Sequence, residues 1–142
     1  MAEASTDKLA FELVSPERVL ASVHADMVVV PGEDGDFGVL VEHAPLLSLL
    51  RPGVISIYQG QQVEQRIFVE GGFAEVNPKG LIVLAEAAAP MGELNLDDAR
   101  QSLKDAEEDL GDARDPTEPE RERLERAITV ARARVEALEF QG

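Results

Sequence analysis

The stretch EDGDFGVLVEHAPLL, Glu33 to Leu47, holds four acids, one of the chain's two histidines and three leucines. Carboxylates beside an imidazole supply what general acid–base catalysis or cation binding needs. A helix–loop–helix calcium loop starting at Asp34 requires glycine at its sixth position and an acid at its twelfth. Those positions are Val39 and Pro45, so the spacing fails. Glu33, Asp34 and Asp36 instead alternate with Gly32, Gly35 and Gly38, the composition of a tight solvated loop. Glu42 and His43 have the residue types of an orienting carboxylate and a base. Neighbours along a strand point to opposite faces, however, so adjacency does not pair them. His24 belongs to another segment, and no serine or lysine sits in a recognisable nucleophile motif. A hydrolase centred on His43 remains one reading of the stretch; a turn that other proteins grip is the other.

No other motif offers catalysis. The glycines form neither G-x-x-x-x-G-K-[ST] nor G-x-G-x-x-G. With no cysteine, disulfides and thiolate metal sites are excluded. The net charge of −15 repels phosphate backbones and anionic lipid heads, which argues against nucleic acid and against direct membrane insertion. No apolar run reaches the roughly 20 residues that span a bilayer. The start, MAEASTDKLAFELV, lacks the pattern of a signal or transit peptide, and a soluble cytoplasmic protein is expected. The acidity serves solubility or a basic protein partner.

Two kinds of element must position these residues. Over 8–86 the pattern is that of strands. From Val19 to Val29 every odd position is apolar, a period of two with one face in a core. KLAFELV, DFGVLVE, GVISIYQ, QVEQRIFVE, GFAEVN and LIVLAE are further strand-like runs, separated by turn pairs such as Pro31-Gly32, Pro52-Gly53 and Gly71-Gly72. Many short strands at this spacing predict an antiparallel sandwich or barrel.

Beyond Pro90 the period changes. Asn95 can cap a helix from Leu96, with Asp97 and Asp98 favouring its positive end. Leu96, Ala99, Leu103, Ala106 and Leu110 make one narrow stripe; Leu124, Ile128, Ala131, Val135 and Leu138 make a second. Between them Gly111, Pro116 and Pro119 break the helix. An antiparallel hairpin follows, with alanine-rich seams that bury little area. The fold class is therefore α+β: a β-sandwich over 1–90 and a helical hairpin over 91–142. The first segment has 13 acids and 5 bases, the second 15 and 8. The basic last helix, with Arg121, Arg123, Arg126, Arg132 and Arg134, suits anions, or pairs with its own acids at i,i+4.

Read in order, LAFELVSPERVL, VVVPGEDGDFGVLVEHAPLLSLLRPGVI, FVEGGFAEVNPKGLIVLAE and LNLDDAR resemble the epsilon subunits of bacterial F-type ATP synthases, called delta in mitochondria. The resemblance covers nearly the whole chain. It implies a flattened antiparallel sandwich followed by a two-helix hairpin, and a non-catalytic part of the central rotor. Such a subunit holds the foot of the gamma shaft and sits on the c-ring, peripheral to the cytoplasmic face of the bacterial inner membrane. It further implies that Glu33, Asp34 and Asp36 face the ring, with Asp36 at the family's interface acid. His43, Leu46 and Leu47 would lie at gamma. In many relatives the hairpin extends into the alpha/beta head and inhibits ATP hydrolysis.

Some relatives bind ATP on the folded hairpin through I/L-D-x-x-R-A and arginines of the second helix. Here the motif is Leu96-Asp97-Asp98-Ala99-Arg100-Gln101, and Arg126 matches one arginine. Gln101, Val130 and Met91 depart from the pattern. The resemblance thus implies Asp97, Arg100 and Arg126 as candidate nucleotide contacts of an incomplete set, and no resident cofactor is expected. A stand-alone regulatory ATP-binding module is the runner-up reading.

Overall fold

A computed structural model describes residues 7–141. The first six residues, part of the segment read above for targeting signals, lie outside them. The chain forms two compact units, the first ending at Met91 and the second starting at Gly92.

The first unit has ten strands: β1 (Leu9–Val14), β2 (Val19–Ala25), β3 (Met27–Gly32), β4 (Gly35–Val39), β5 (Leu46–Leu50), β6 (Gly53–Gln59), β7 (Gln62–Val69), β8 (Gly72–Asn77), β9 (Gly80–Ala85) and β10 (Ala88–Pro90). One layer runs β10-β7-β6-β3-β4 and the other β5-β8-β9-β1-β2; they join where Gly32 of β3 pairs with Leu50 of β5. The sheet thus folds over on itself as a sandwich. Alternate residues point inward, and Phe11, Leu13, Val28, Val30, Ile55, Ile57, Ile67 and Val83 form one core, each at most 1% exposed. Burial of each of the larger aliphatic and aromatic side chains is worth roughly 1.5–3 kcal/mol.

The expected antiparallel pairing holds for every ladder but one. β1 runs parallel to β9, from Phe11 beside Leu81 to Val14 beside Leu84. A period of two says which residues face inward but not which way a neighbour runs. The apolar odd positions from Val19 to Val29 also do not form one strand. Ala21 and Ala25 are buried in β2, but Val28 and Val30 are buried in β3, so the inward phase flips at Asp26. The Asp26 amide donates to the Tyr58 carbonyl at 3.0 Å, and its carboxylate accepts the Gly60 amide and the Lys8 ammonium. The Gly60 bond holds this carboxyl below the ordinary aspartate range; desolvation opposes it and the Lys8 ammonium reinforces it.

The second unit is a pair of helices, α1 (Leu96–Asp112) and α2 (Glu118–Gln141). Asn95 caps α1, its Oδ1 accepting the Asp98 amide at 2.9 Å. The expected break is narrower than the glycine and proline content suggests. Gly111 lies in the last turn of α1 and Pro119 in the first turn of α2, end positions where both are tolerated. Thr117 caps α2: its hydroxyl accepts the Glu120 amide at 3.3 Å, while its own amide donates to Glu120 Oε1 at 2.8 Å. The Thr117 amide and then its hydroxyl hold the Glu120 carboxyl below the ordinary glutamate range. Ala99, Ala106, Val130, Ala131 and Val135 form the buried seam. Arg100 to Glu139 at 3.2 Å and Arg132 to Glu107 at 3.6 Å cross between the helices and mark the antiparallel register.

Candidate functional site

The acids of the opening stretch sit on a tight hairpin. Gly32 pairs with Gly35 across a turn whose tip is Glu33-Asp34, both exposed. Gly32 has no room for a side chain: a methyl there meets the Gly35 carbonyl at 2.7 Å and the Phe37 ring at 2.8 Å. Gly35 has φ 140°, open to glycine and strained for other residues. The Glu33 amide donates to the Leu49 carbonyl at 2.9 Å, tying the turn to β5. Asp36 is on β4, behind the tip. Its Oδ1 accepts Nη2 of Arg51 at 2.6 Å, and Nη1 of the same guanidinium donates to the Gly32 carbonyl at 2.6 Å. Sequence reasoning missed Arg51. The signal was its isolation: no other lysine or arginine occurs between Arg18 and Arg66.

Glu42 and His43 lie in a turn rather than along a strand. The His43 amide donates to the Leu40 carbonyl at 3.1 Å, and Glu42 has φ 68°, the left-handed region. His43 Nδ1 lies 2.7 Å from the Ala44 carbonyl, which can only accept, so Nδ1 carries the proton. The imidazole is thus oriented by backbone, not by a carboxylate. His43 and His24 share a groove of about 530 Å³ with Lys8 and Lys79. A second groove, of about 370 Å³, places Glu12, Ser22 and His24 along its wall. Among the described residues no hydrogen bond joins Glu12, Ser22 and His24. Neither groove has the geometry of the hydrolase considered above. Among the described residues, no three His, Cys, Asp or Glu gather to hold a metal ion.

A different feature covers the outer face of the β5-β8-β9-β1-β2 layer. Leu49 pairs with Phe73, Phe73 with Leu84, Leu84 with Val14, and Val14 with Val19 across a bulge. Leu49 is 59% exposed, Phe73 39%, Leu84 40% and Val19 62%. This is a continuous apolar row across five strands. Leu47, 68% exposed, extends it along β5 and faces Glu75 in the next row. Leu46 pairs with the buried Val76 and is less exposed. β5 itself was not expected as a strand, since LLSLL lacks an alternation of polar and apolar residues and follows Pro45.

The candidate nucleotide residues are not brought together. Arg100 is engaged by Glu139, and Asp97 lies on the turn before it. Arg126 is 13 positions before Glu139 on α2, about 20 Å along the helix at ~1.5 Å per residue. Gln101 donates to Asp105 at 2.8 Å. Val130 and Met91 are buried apolar side chains.

Among the described residues no helix is long and apolar enough to cross a membrane. Residues 8–91 match the family model of the ATP synthase delta/epsilon chain, beta-sandwich domain. The chain is 53% identical over 108 residues to an ATP synthase epsilon chain of Paramagnetospirillum magneticum, covering 76% of this chain and 81% of that one. It is 50% identical over 123 residues to that of Rhodospirillum rubrum, covering 87% and 90%. Its fold is similar to that of a chain in the Euglena gracilis mitochondrial ATP synthase, OSCP/F1/c-ring (TM-score 0.75, 21% identity, 95% of this chain and 81% of that chain). It is also similar to one in the central stalk/c-ring of the Tetrahymena thermophila mitochondrial ATP synthase (TM-score 0.64, 14% identity, 91% and 95%). With its sandwich matched by the family model and its epsilon-chain relatives sharing about half their residues with it, the chain belongs to the ATP synthase delta/epsilon family.

Proposed function

We propose that the chain is a non-catalytic subunit of the rotating central stalk, passing c-ring rotation to the gamma shaft of a proton-translocating F-type ATP synthase. The observation that carries this reading is the adjacency of two unlike surfaces. The acidic turn is tethered at Leu49, and Leu49 is also the first residue of the apolar row. A coupling part needs one surface for each partner. The apolar row, with Leu47 beside it, suits a stable, buried contact with gamma; the exposed turn suits basic polar loops of the ring, where charge sets register more than affinity. On this reading the subunit is peripheral to the cytoplasmic face of the bacterial inner membrane, and His43 adjoins the shaft through the turn at Leu40–His43. The helical hairpin is a separate structural unit in which Arg100 and Arg132 are paired with its own acids, Glu139 and Glu107, which favours a bracing role over ATP binding.

The test is co-purification with the cognate gamma subunit. A stable complex is expected, and it should persist when gamma is joined to the ring. If gamma bound its other partners but not this chain, the assignment would fall.

A further inference from the structure

We propose that Arg51 is the positioning residue of the acidic turn, and that Glu33 and Asp34, rather than Asp36, supply its pairing charges. The inference rests on the ring-facing reading of the turn given above. Arg51 lies in the short link between β5 and β6. It reaches the hairpin at three points. Its backbone amide donates to the Pro31 carbonyl at 3.0 Å, Nη1 donates to the Gly32 carbonyl, and Nη2 holds the Asp36 carboxylate. Pro31 and Asp36 are themselves paired across β3 and β4, so a single side chain closes both strands just behind the tip.

Two consequences follow from this geometry. The turn is ordered before it meets a partner, so less conformational entropy is lost on contact. The charge of Asp36 is compensated within the chain, since its carboxylate already accepts a guanidinium at 2.6 Å. Glu33 and Asp34 share the exposed tip, and among the described residues no ion pair engages either side chain. An incoming lysine or arginine therefore meets a doublet of negative charge at the tip. At Asp36 it meets a carboxylate whose charge the Arg51 guanidinium already offsets, so the attraction there is weaker. The site accordingly fits a basic loop presenting its charges to Glu33 and Asp34.

The test uses the full chain and two readouts. The first is amide hydrogen exchange of Asp36 and Phe37 in the free chain. Arg51→Gln and Asp36→Asn should each speed exchange about twofold to fivefold, within the range for a partly exposed charged contact. The double variant should show no further change beyond the larger single effect. Arg51→Lys, which keeps the charge but loses the two-pronged donor, should restore only part of the protection. The second readout is association with a purified gamma–c-ring assembly at low and high salt. Glu33→Gln with Asp34→Asn should slow association several-fold at low salt and flatten its salt dependence; Asp36→Asn should retain most of that dependence. Unchanged exchange in Arg51→Gln would overturn the positioning role. Loss of the salt dependence in Asp36→Asn, with none in the tip variant, would overturn the assignment of the pairing charges. If the exchange results hold and no variant alters association, the ring-facing reading fails while the positioning role stands.

Discussion

At the corner between β2 and β3, the Asp26 carboxylate accepts the Gly60 amide and the Lys8 ammonium, and this contact does what no hydrophobic pattern announces. It ends one strand and lets the next begin with the opposite face inward. Because these bonds favour the ionised form, its pKa is lower folded than unfolded. The contribution to stability is then complete above the ordinary aspartate range and is lost as pH falls through the depressed folded value. Urea unfolding at neutral pH and at about pH 3 should show this. The native chain should lose more stability on acidification than Asp26→Asn, whose amide oxygen accepts the same bond without a charge to titrate. Equal losses would mean that the contact does not persist in solution. The residues of the acidic turn were legible from types and spacing, because glycines and acids in alternation specify a turn locally. The partner of Asp36 was not, since Arg51 is fifteen residues away and becomes a neighbour only through the fold of the sheet.

The helices were legible as elements because their stripes and the Asn95 cap are local signals, whereas their connection depends on how the ends are closed. Thr117 and Glu120 form a reciprocal cap, and Asp115 adopts φ 51° in the link between the helices. Thr117→Ala should cost the hairpin about 1 kcal/mol, measured as a lower unfolding midpoint for the helical signal. The bond to Glu120 is part of that cap. Its folded pKa is depressed, so its share of the stability is present above the ordinary glutamate range and disappears on acidification. A single helix running from α1 into α2 would place Pro116 and Pro119 in its interior, at roughly 3 kcal/mol for such a residue, and would give up the cap. The hairpin is therefore expected to resist fusion into one long helix. Ending the chain at Glu93 should change ATP hydrolysis by the assembled head less than about twofold; a large rise would instead show the hairpin to be inhibitory. β5 was illegible for the opposite reason. Leu46, Leu47 and Leu49 are all exposed to some degree, so LLSLL has no polar face, and only the register with β8 shows which residues look outward.

Across the whole chain, a net charge of −15 would repel an acidic partner at long range, but charge acts differently on the two surfaces of the sandwich. The turn works through exposed carboxylates, and salt screens these within about 8–10 Å at ordinary ionic strength. The row from Leu49 to Val19 works through area removed from water, which salt does not weaken. Two contacts on one rigid sandwich can therefore be separated by ionic strength alone. Binding of the full chain to isolated gamma should change little between low and high salt, while its added contact with the ring should weaken. Phe73→Ser should lower affinity for gamma about tenfold, because Phe73 sits mid-row between Leu49 and Leu84 and is the one aromatic ring in the row. Its outward side chain contributes little to the core, so the unfolding midpoint should move less than the affinity. Titration calorimetry of the native and variant chains against gamma, at two salt concentrations, reads both effects. If Phe73→Ser bound gamma as tightly as the native chain, the outer face of the β5-β8-β9-β1-β2 layer would not be the gamma surface, and the shaft contact would have to lie elsewhere on the chain.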